Sequence, residues 1–266
     1  MTTRPSGVSP ASSATESAEG KRVLVTGASS GIGLATVEFF ARRGAVVALN
    51  HLEDDDRGAA EVARLRGDGL KVVAAPGNVA DSSSLDRAIP HAVDQLGGLD
   101  FLVNNAGISA TREPIALSNL DAITEEFWDA ILSTNLVGPF RCTRLAADAL
   151  RMSRGAVVNT ASIGGFDAVG SSIAYGASKA GLINMTKNLA RALAPEVRVN
   201  AVAPGYVESA WTADWPEQKK RTLIDRSLLK RACKPADIAE VIYFLCTGAA
   251  VVTGQTLIAD AGFTLS

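Results

Sequence analysis

Residues 22–33 read Arg22-Val23-Leu24-Val25-Thr26-Gly27-Ala28-Ser29-Ser30-Gly31-Ile32-Gly33, a short β-branched run that gives way to a glycine-rich turn. Helical periodicity then runs from Ile32 to Arg43, so the turn joins a strand to a helix. Glycine there permits positive φ and close backbone approach, and the amides opening the helix form a seat for a dinucleotide pyrophosphate. A glycine-rich turn without a ligand is the plainer alternative, but the strand before it and the amphipathic helix after it are the context the binding motif requires. Three residues separate the first two glycines, unlike the commoner G-x-G-x-x-G.

The same alternation continues along the chain. Strands are expected at 22–26, 46–50, 71–75, 101–104, 156–160, 198–203 and 256–259, and helices at 32–43, 58–66, 83–96, 124–152 with a break near Pro139, 172–193 and 235–246. This is the pattern of an α/β fold: a single doubly wound, Rossmann-like domain over residues 20–266, with a seven-stranded parallel sheet and helices on both faces. Residues 1–19, rich in Ser, Thr, Pro, Ala and Gly and without hydrophobic periodicity, read as a disordered tail.

Composition narrows the function classes. Hydrophobic residues make up 47% of the 266 and charged residues 20%, the balance of a globular chain. A formal charge of −2 provides no whole-chain positive field for nucleic acid or an anionic membrane, and no apolar run approaches a membrane span. Cys142, Cys233 and Cys246 lack C-x-x-C spacing, so reduced thiols in a cytoplasmic protein are expected. His51 and His91, far apart, make no metal-ligand pair, and no metal is expected. The N-terminus has neither the apolar core of a secretory signal nor the arginines of a presequence.

Four motifs in order, Thr26-Gly27-Ala28-Ser29-Ser30-Gly31-Ile32-Gly33, Asn104-Asn105-Ala106-Gly107, Tyr175-Gly176-Ala177-Ser178-Lys179 and Pro204-Gly205, resemble the short-chain dehydrogenase/reductase family from about Gly20 to the C-terminus. Within it the chain looks most like the 3-oxoacyl carrier-protein reductases and the sugar or polyol dehydrogenases. Independently of the resemblance, Tyr175 and Lys179 share a helix face at i, i+4. A cation about 4 Å from the phenol contributes on the order of 4 kcal/mol at an effective dielectric near 20, roughly three pK units. That would bring the tyrosine into working range as a proton-transfer group. Ser162, thirteen residues upstream at a strand end, suits a hydroxyl that hydrogen-bonds a substrate carbonyl.

The resemblance implies that Tyr175 is the general acid/base, that Ser162 orients and polarises the substrate oxygen, and that Lys179 also binds the nicotinamide ribose. Asn135 matches the position that holds a water linking the lysine to solvent; a polar residue breaking a helix is its plainer reading. The cofactor would lie on Gly27, Ser29, Ser30, Gly31, Ile32 and Gly33. Asn104, Ala106 and Gly107 would line the adenosine-ribose side of the cleft, with Asn105 bracing the sheet. Pro204, Gly205, Val207 and Ser209 would hold the nicotinamide end, and Asn78 with Val79 would face the adenine.

Cofactor choice rests on the residues ending the second strand, where an acid favours a free ribose 2′-hydroxyl and an Arg favours a 2′-phosphate. His51 and Leu52 stand there, and Ser30 is not basic, so the pattern leans toward NAD while a donating His51 keeps NADP open. The acidic run Glu53 to Asp56 would repel a phosphate if it lies nearby, although such a run often is a solvated face. Residues 206–228 are expected to form a substrate lid, in which Trp211 and Trp215 either cover an apolar substrate or pack into the lid's own core. Arg151 and Arg154 could favour a carrier protein, but Glu196 would oppose it. The expected reaction is therefore hydride transfer between a nicotinamide cofactor and a small secondary alcohol or ketone. The alternatives are 3-oxoacyl carrier-protein reduction and, in a different class, a non-catalytic dinucleotide-binding regulator. Apolar residues of the two long helices, among them Leu145, Ala146, Leu182 and Ile183, and the tail residues Phe263 and Leu265 suggest a homo-oligomer, a tetramer with two-fold axes.

Overall fold

Val23 and Val25 face one side of their strand and Leu24 the other, and all three are fully buried. A strand buried on both faces belongs inside a parallel sheet covered by helices on each side. The computed structural model describes residues 17–166 and 170–266 and has that arrangement. Strands β1 (Arg22–Val25), β2 (Val46–His51), β3 (Val72–Pro76), β4 (Phe101–Asn104), β5 (Ala156–Thr160), β6 (Arg198–Pro204) and β7 (Thr256–Ala259) pair in the order β3-β2-β1-β4-β5-β6-β7, all parallel. Each expected strand is present to within one residue at either end.

Helices α1 (Gly31–Ala41), α2 (Asp56–Gly67) and α8 (Pro235–Thr247) cover one face, and α3 (Ser82–Leu96), α5 (Gly138–Ser153) and α6 (Ile173–Leu193) the other. Helix α4 (Glu125–Leu132) packs on α6, while α7 (Glu217–Arg226) follows β6. On the first face Phe39 and Phe40 of α1 meet the Tyr243 ring of α8 at centroid distances of 5.2 and 4.9 Å. After β3 the chain crosses to the far side of β1 to form β4, so strand order reverses between β1 and β4. Such a reversal leaves a crevice beyond the carboxyl ends of the strands.

The break expected near Pro139 falls slightly earlier. Ser133–Val137 form a π-helical turn in which the Gly138 N–H donates to the Ser133 carbonyl, five residues back. Pro139 then occupies the first turn of α5, where a missing N–H costs no intrahelical bond. Within that turn Asn135 is fully buried. Helix α7 was not expected, and the reason lies in its sequence: Glu217 to Arg226 is mostly polar, and none of its residues is buried.

A buried polar chain sets α5 and α6 over β4 and β5. Asn104 Nδ2 donates to Asn159 Oδ1 at 2.9 Å and to Thr143 Oγ1 at 3.1 Å, while Asn159 Nδ2 donates to Thr186 Oγ1 at 2.9 Å. The two threonine hydroxyls donate onward to the Pro139 and Leu182 carbonyls, at 2.7 and 2.8 Å. Of the segment read as a tail, residues 1–16 lie outside the described residues. Ala18 is fully buried, its N–H donating to the Arg43 carbonyl at 3.1 Å, so packed chain precedes Gly20. Replacing Asn159 by Ala would take one acceptor from the buried Asn104 amide, which keeps Thr143 Oγ1, and would remove the donor to Thr186 Oγ1. Asn159→Ala should lower unfolding free energy by about 2 to 3 kcal/mol, read as a lower urea midpoint with unchanged slope.

Candidate active site

The glycine turn is shaped by backbone contacts that exclude side chains. A Cβ on Gly27, whose φ is +60°, would stand 2.6 Å from Ala106 Cα, and one on Gly33 would stand 2.5 Å from the Gly27 carbonyl oxygen. Gly31 differs: its φ of +56° favours glycine, yet a Cβ there would meet nothing nearer than Ser209 Cβ at 4.0 Å. Gly31 and Ser209 thus face each other across a recess of about 310 Å³, which Leu34, Ala35 and Pro235 also line. Ser30 makes no side-chain cap on α1, so the first-turn amides are left for another acceptor. A cradle with glycine walls and uncapped helix amides fits a pyrophosphate.

Side chains lock this turn in place. The Asn105 amide donates to the Thr26 and Gly27 carbonyls at 3.1 and 3.0 Å, and Thr26 Oγ1 accepts from the Asn105 and Ala106 N–H groups. Asn50 Oδ1 accepts from the Gly27 N–H at 3.2 Å, while its Nδ2 donates to the Ala75 and Gly77 carbonyls. Asn105 is a bracing residue as expected, holding the turn at the strand ends, whereas the Asn104 side chain departs from the expected cleft position and belongs to the interior chain described above. Asn50 was missed, although a lone amide in the apolar run 46–51 was its signal.

The second half of the site gathers at the ends of β4 and β5. The Ser172 hydroxyl caps α6 by accepting from the Tyr175 N–H at 3.0 Å, which starts the helix just ahead of the phenol. Lys179, one turn on, is buried, and its Nζ donates to the Thr160 carbonyl at 2.8 Å, 5.7 Å from the Tyr175 ring centroid. Ser162 hydrogen-bonds the Tyr175 phenol and also accepts from the Gly164 N–H at 3.1 Å. Asn135 is clamped to Ile108 by both amide atoms, at 2.8 and 2.9 Å, and its Nδ2 also donates to Ser178 Oγ at 3.3 Å. Gly107 ties these together, because a Cβ there would lie 3.3 Å from Asn135 Oδ1 and 3.5 Å from Lys179 Nζ.

Titration behaviour departs from the simple charge argument. Burial pushes the Tyr175 phenol above its ordinary value, and the Ser162 hydrogen bond only partly opposes this. Burial likewise lowers Lys179 to about 8. The lysine is spent on the Thr160 carbonyl and is itself reluctant to stay charged, so in this arrangement it does not depress the phenol.

The remaining candidates fall around the crevice. Pro204 ends β6, Gly205 packs so tightly on Asp260 that a Cβ would stand 2.6 Å from Asp260 Cβ, and buried Val207 accepts from Thr212 Oγ1 at its carbonyl. Asn78 is exposed at the end of β3, its N–H donating to Ser84 Oγ, and Val79 beneath it is buried. His51 is buried and Leu52 is 48% exposed. The two tryptophans divide: Trp215 stacks on Tyr206 at 5.9 Å, whereas Trp211, 46% exposed, meets Tyr175 edge-on at 6.3 Å. Arg151, Arg154 and Glu196 do not belong near the site. They precede β5 and β6, at the end of the sheet opposite the crevice.

A family model described as enoyl-(acyl carrier protein) reductase matches residues 27–264. The 3-oxoacyl-[acyl-carrier-protein] reductase FabG of Thermotoga maritima is 39% identical over 252 residues, spanning 93% of this chain and 99% of that protein. The enzyme of the same name from Staphylococcus aureus is 37% identical over 91% of this chain and 97% of its own length. Among solved structures, a putative short-chain alcohol dehydrogenase from Sinorhizobium meliloti is similar with a TM-score of 0.84 and 37% identity, covering 93% and 98% of the two chains. A putative short-chain dehydrogenase/reductase from Burkholderia xenovorans gives a TM-score of 0.84 at 33% identity, covering 92% and 98%. With its parallel Rossmann-like sheet and glycine turn, the chain belongs to the short-chain dehydrogenase/reductase family of NAD(P)-dependent oxidoreductases.

Proposed function

We propose that this member interconverts a small secondary alcohol and its ketone, with Tyr175 as the proton-transfer group. The observation that carries the reading is that Asn135 and Lys179 meet beside Gly107, one strand away from the glycine turn, while Lys179 Nζ also lies 5.7 Å from the ring of Tyr175, which Ser162 hydrogen-bonds. The α1 amides at Gly31, Ile32 and Gly33 would take the pyrophosphate, with Ser29 and Ser30 beside them. Asn78 and Val79 would border the adenine, Ala106 and Gly107 the floor, and Pro204, Gly205, Val207 and Ser209 the nicotinamide end. When bound, the nicotinamide supplies or accepts the hydride. The chain's own residues manage one proton: the phenol, kept neutral by burial, donates to the carbonyl oxygen in reduction, while the Ser162 hydroxyl holds that oxygen in line. Lys179 would bind the ribose, and Asn135 would connect it to solvent.

A carried acyl substrate is the second reading, and one observation favours it. Between Glu217 and Lys234, seven Lys and Arg residues stand against Glu217 and Asp225, in a chain whose net charge is −2. This positive stretch begins within the expected lid, after Trp211 and Trp215, and would attract an acidic carrier. Two relatives are named for such a substrate. The small-carbonyl reading is kept because the basic groups expected for docking, Arg151 and Arg154, lie at the wrong end of the sheet.

Assays followed at the nicotinamide absorbance, with free ketones and a 3-oxoacyl carrier thioester side by side, should give a kcat/KM for a free ketone at least equal to that for the thioester. A thioester preferred more than about tenfold, 1.4 kcal/mol, would establish the second reading instead. In the same assay Tyr175→Phe, which keeps the ring against Gly170 and Trp211, should lower kcat at least ~100-fold with nucleotide affinity little changed.

Burial of Lys179 gives a pH signature. Its folded value of about 8 lies below the ordinary 10.5, so the unfolded chain binds more protons in that window and stability rises with pH through it. Relative to Lys179→Met, the wild type should gain about 2 kcal/mol of unfolding free energy between about pH 7 and 9.5. A constant difference across that range would contradict the burial argument.

The chain is further proposed to form a tetramer. Ala146, Leu182 and Ile183 are buried in its own core, which removes them from the expected interface. Leu257 and Ile258 of the edge strand β7, Phe140 of α5 and Leu265 remain exposed. An apolar edge strand of that kind is a liability for a monomer. Light scattering at micromolar concentration should give about four times 27.6 kDa, or at least twice; a monomer mass would reject the assembly.

A further inference from the structure

Helix α7 buries none of its residues, so side-chain packing does not fix where the outer part of the lid lies. The segment is held instead where it leaves and rejoins the domain. At its root Val207 bridges Cys233: the Cys233 N–H donates to the Tyr206 carbonyl at 3.0 Å, and the Glu208 N–H donates to the Cys233 carbonyl at 2.9 Å. Close by, the Thr212 hydroxyl donates to the Val207 carbonyl at 2.9 Å and Trp215 stacks on Tyr206. These contacts secure the first part of the lid only. A helix with no buried residue beyond them needs a second anchor to keep one position.

That anchor is the C-terminal turn that follows β7. The Leu229 N–H donates to the Ala261 carbonyl at 3.0 Å, and Leu228 lies so close to Gly262 that a Cβ there would stand 2.8 Å from Leu228 Cβ. The turn has a demanding backbone, because Ala261 and Gly262 both take positive φ, +56° and +80°. An alanine adopts that conformation only where its surroundings impose it. The Asp260 carboxylate does so: one oxygen accepts from the Gly262 N–H and the other from the Thr264 N–H, each at 2.8 Å. Asp260 is buried, and its other neighbour is the entry to the lid. The Gly205 N–H donates to the Ala259 carbonyl at 3.1 Å, and Asp260 Cα and Cβ fill the space in which Gly205 would carry a side chain. One residue therefore touches the backbone just before the lid and closes the turn on which the lid ends.

We infer that Asp260 is a positioning residue for the substrate: by closing the C-terminal turn against Gly205 it fixes the far end of the lid, and through the lid it holds Trp211 over Tyr175. The inference rests on the reading of Tyr175 as the proton-transfer group. Charge-assisted bonds from one carboxylate to two amides hold the turn more firmly than neutral ones would. Trp211 meets the Tyr175 ring edge-on, so a lid released at Leu228 and Leu229 carries the indole away from the phenol. Ser162, Tyr175 and Lys179 are untouched by that release. Its effect is a loss of substrate binding, seen in KM and not in kcat.

Asp260→Ala removes both acceptors, and Asp260→Asn keeps one. With a free ketone, Asp260→Ala should raise KM at least about fivefold and change kcat less than about twofold. Asp260→Asn should raise KM at least about twofold, and carries the test alone should the alanine variant not fold. Tryptic cleavage after Lys219, Lys220 or Arg221, followed by mass spectrometry, reads the lid without turnover and should quicken by similar factors, since it tracks the population of the released form. Leu150→Ala, a truncation of a fully buried side chain in α5, is the control for general destabilisation and should leave both readouts near the wild type. Unchanged KM and cleavage, a fall in kcat with KM unchanged, or an equal response in Leu150→Ala would overturn the role of Asp260. A wild type that turns over no ketone would instead remove the reading of the site, and the cleavage comparison would still decide whether Asp260 tethers the lid.

Discussion

The backbone of the glycine turn touches the end of β4 with no space for a methyl group. A side chain at Gly27 would enter Ala106, and one at Gly33 would enter the Gly27 carbonyl. Because of that contact α1 starts directly above the β1–β4 pair instead of standing away from it. Its outer residues then reach α8, where Phe39 and Phe40 close on Tyr243. Asn105, Thr26 and Asn50 hold the turn from three directions, each through backbone groups, so the position of the helix amides depends little on loop side chains.

The second half of the site is fixed by an independent set of bonds that meets the first half at Gly107. Ser172 sets the start of α6, the Thr160 carbonyl anchors Lys179, and the π-helical turn holds Asn135 against Ile108. A π turn opens a helix locally, and such turns are frequent at functional sites. The cost of this half is a desolvated ammonium with a single acceptor among the described residues and a phenol kept neutral. Both groups would be better satisfied by added polar contacts, which is the electrostatic sense in which the site is incomplete on its own.

Strand positions were legible because a parallel sheet buried on both faces leaves continuous apolar runs, and each of the seven runs became a strand. The glycine turn, Tyr175, Lys179 and Ser162 were legible because their chemistry is tied to short spacings. Three features were not. The helix at Glu217 to Arg226 has no buried residue, so no periodicity marks it. The interior position of the Asn104 side chain depends on the alternation of side chains at a strand end, where a shift of one residue changes the face. The Tyr175 pKa was misjudged because spacing on a helix places two Cα atoms but not the ammonium, which a strand carbonyl captured.

Net charge also concealed a separation. The value of −2 averages an acidic run at the β2–α2 connection with a strongly basic stretch over the second half of the lid and the residues after it. Some lid cations are neutralised, Lys220 by Glu217 and Arg231 by Asp237. Others rest on rings: Lys219 lies 4.1 Å from the Trp215 centroid and Arg226 4.5 Å from that of Phe263. A ring positions a cation without cancelling its charge, as a carboxylate would. The aromatic residues of the lid and tail therefore hold positive charge in place at the surface, while the opposite end of the cleft keeps its acids. Charge of opposite sign is thus gathered in separate segments of the chain, a division that whole-chain arithmetic cannot express.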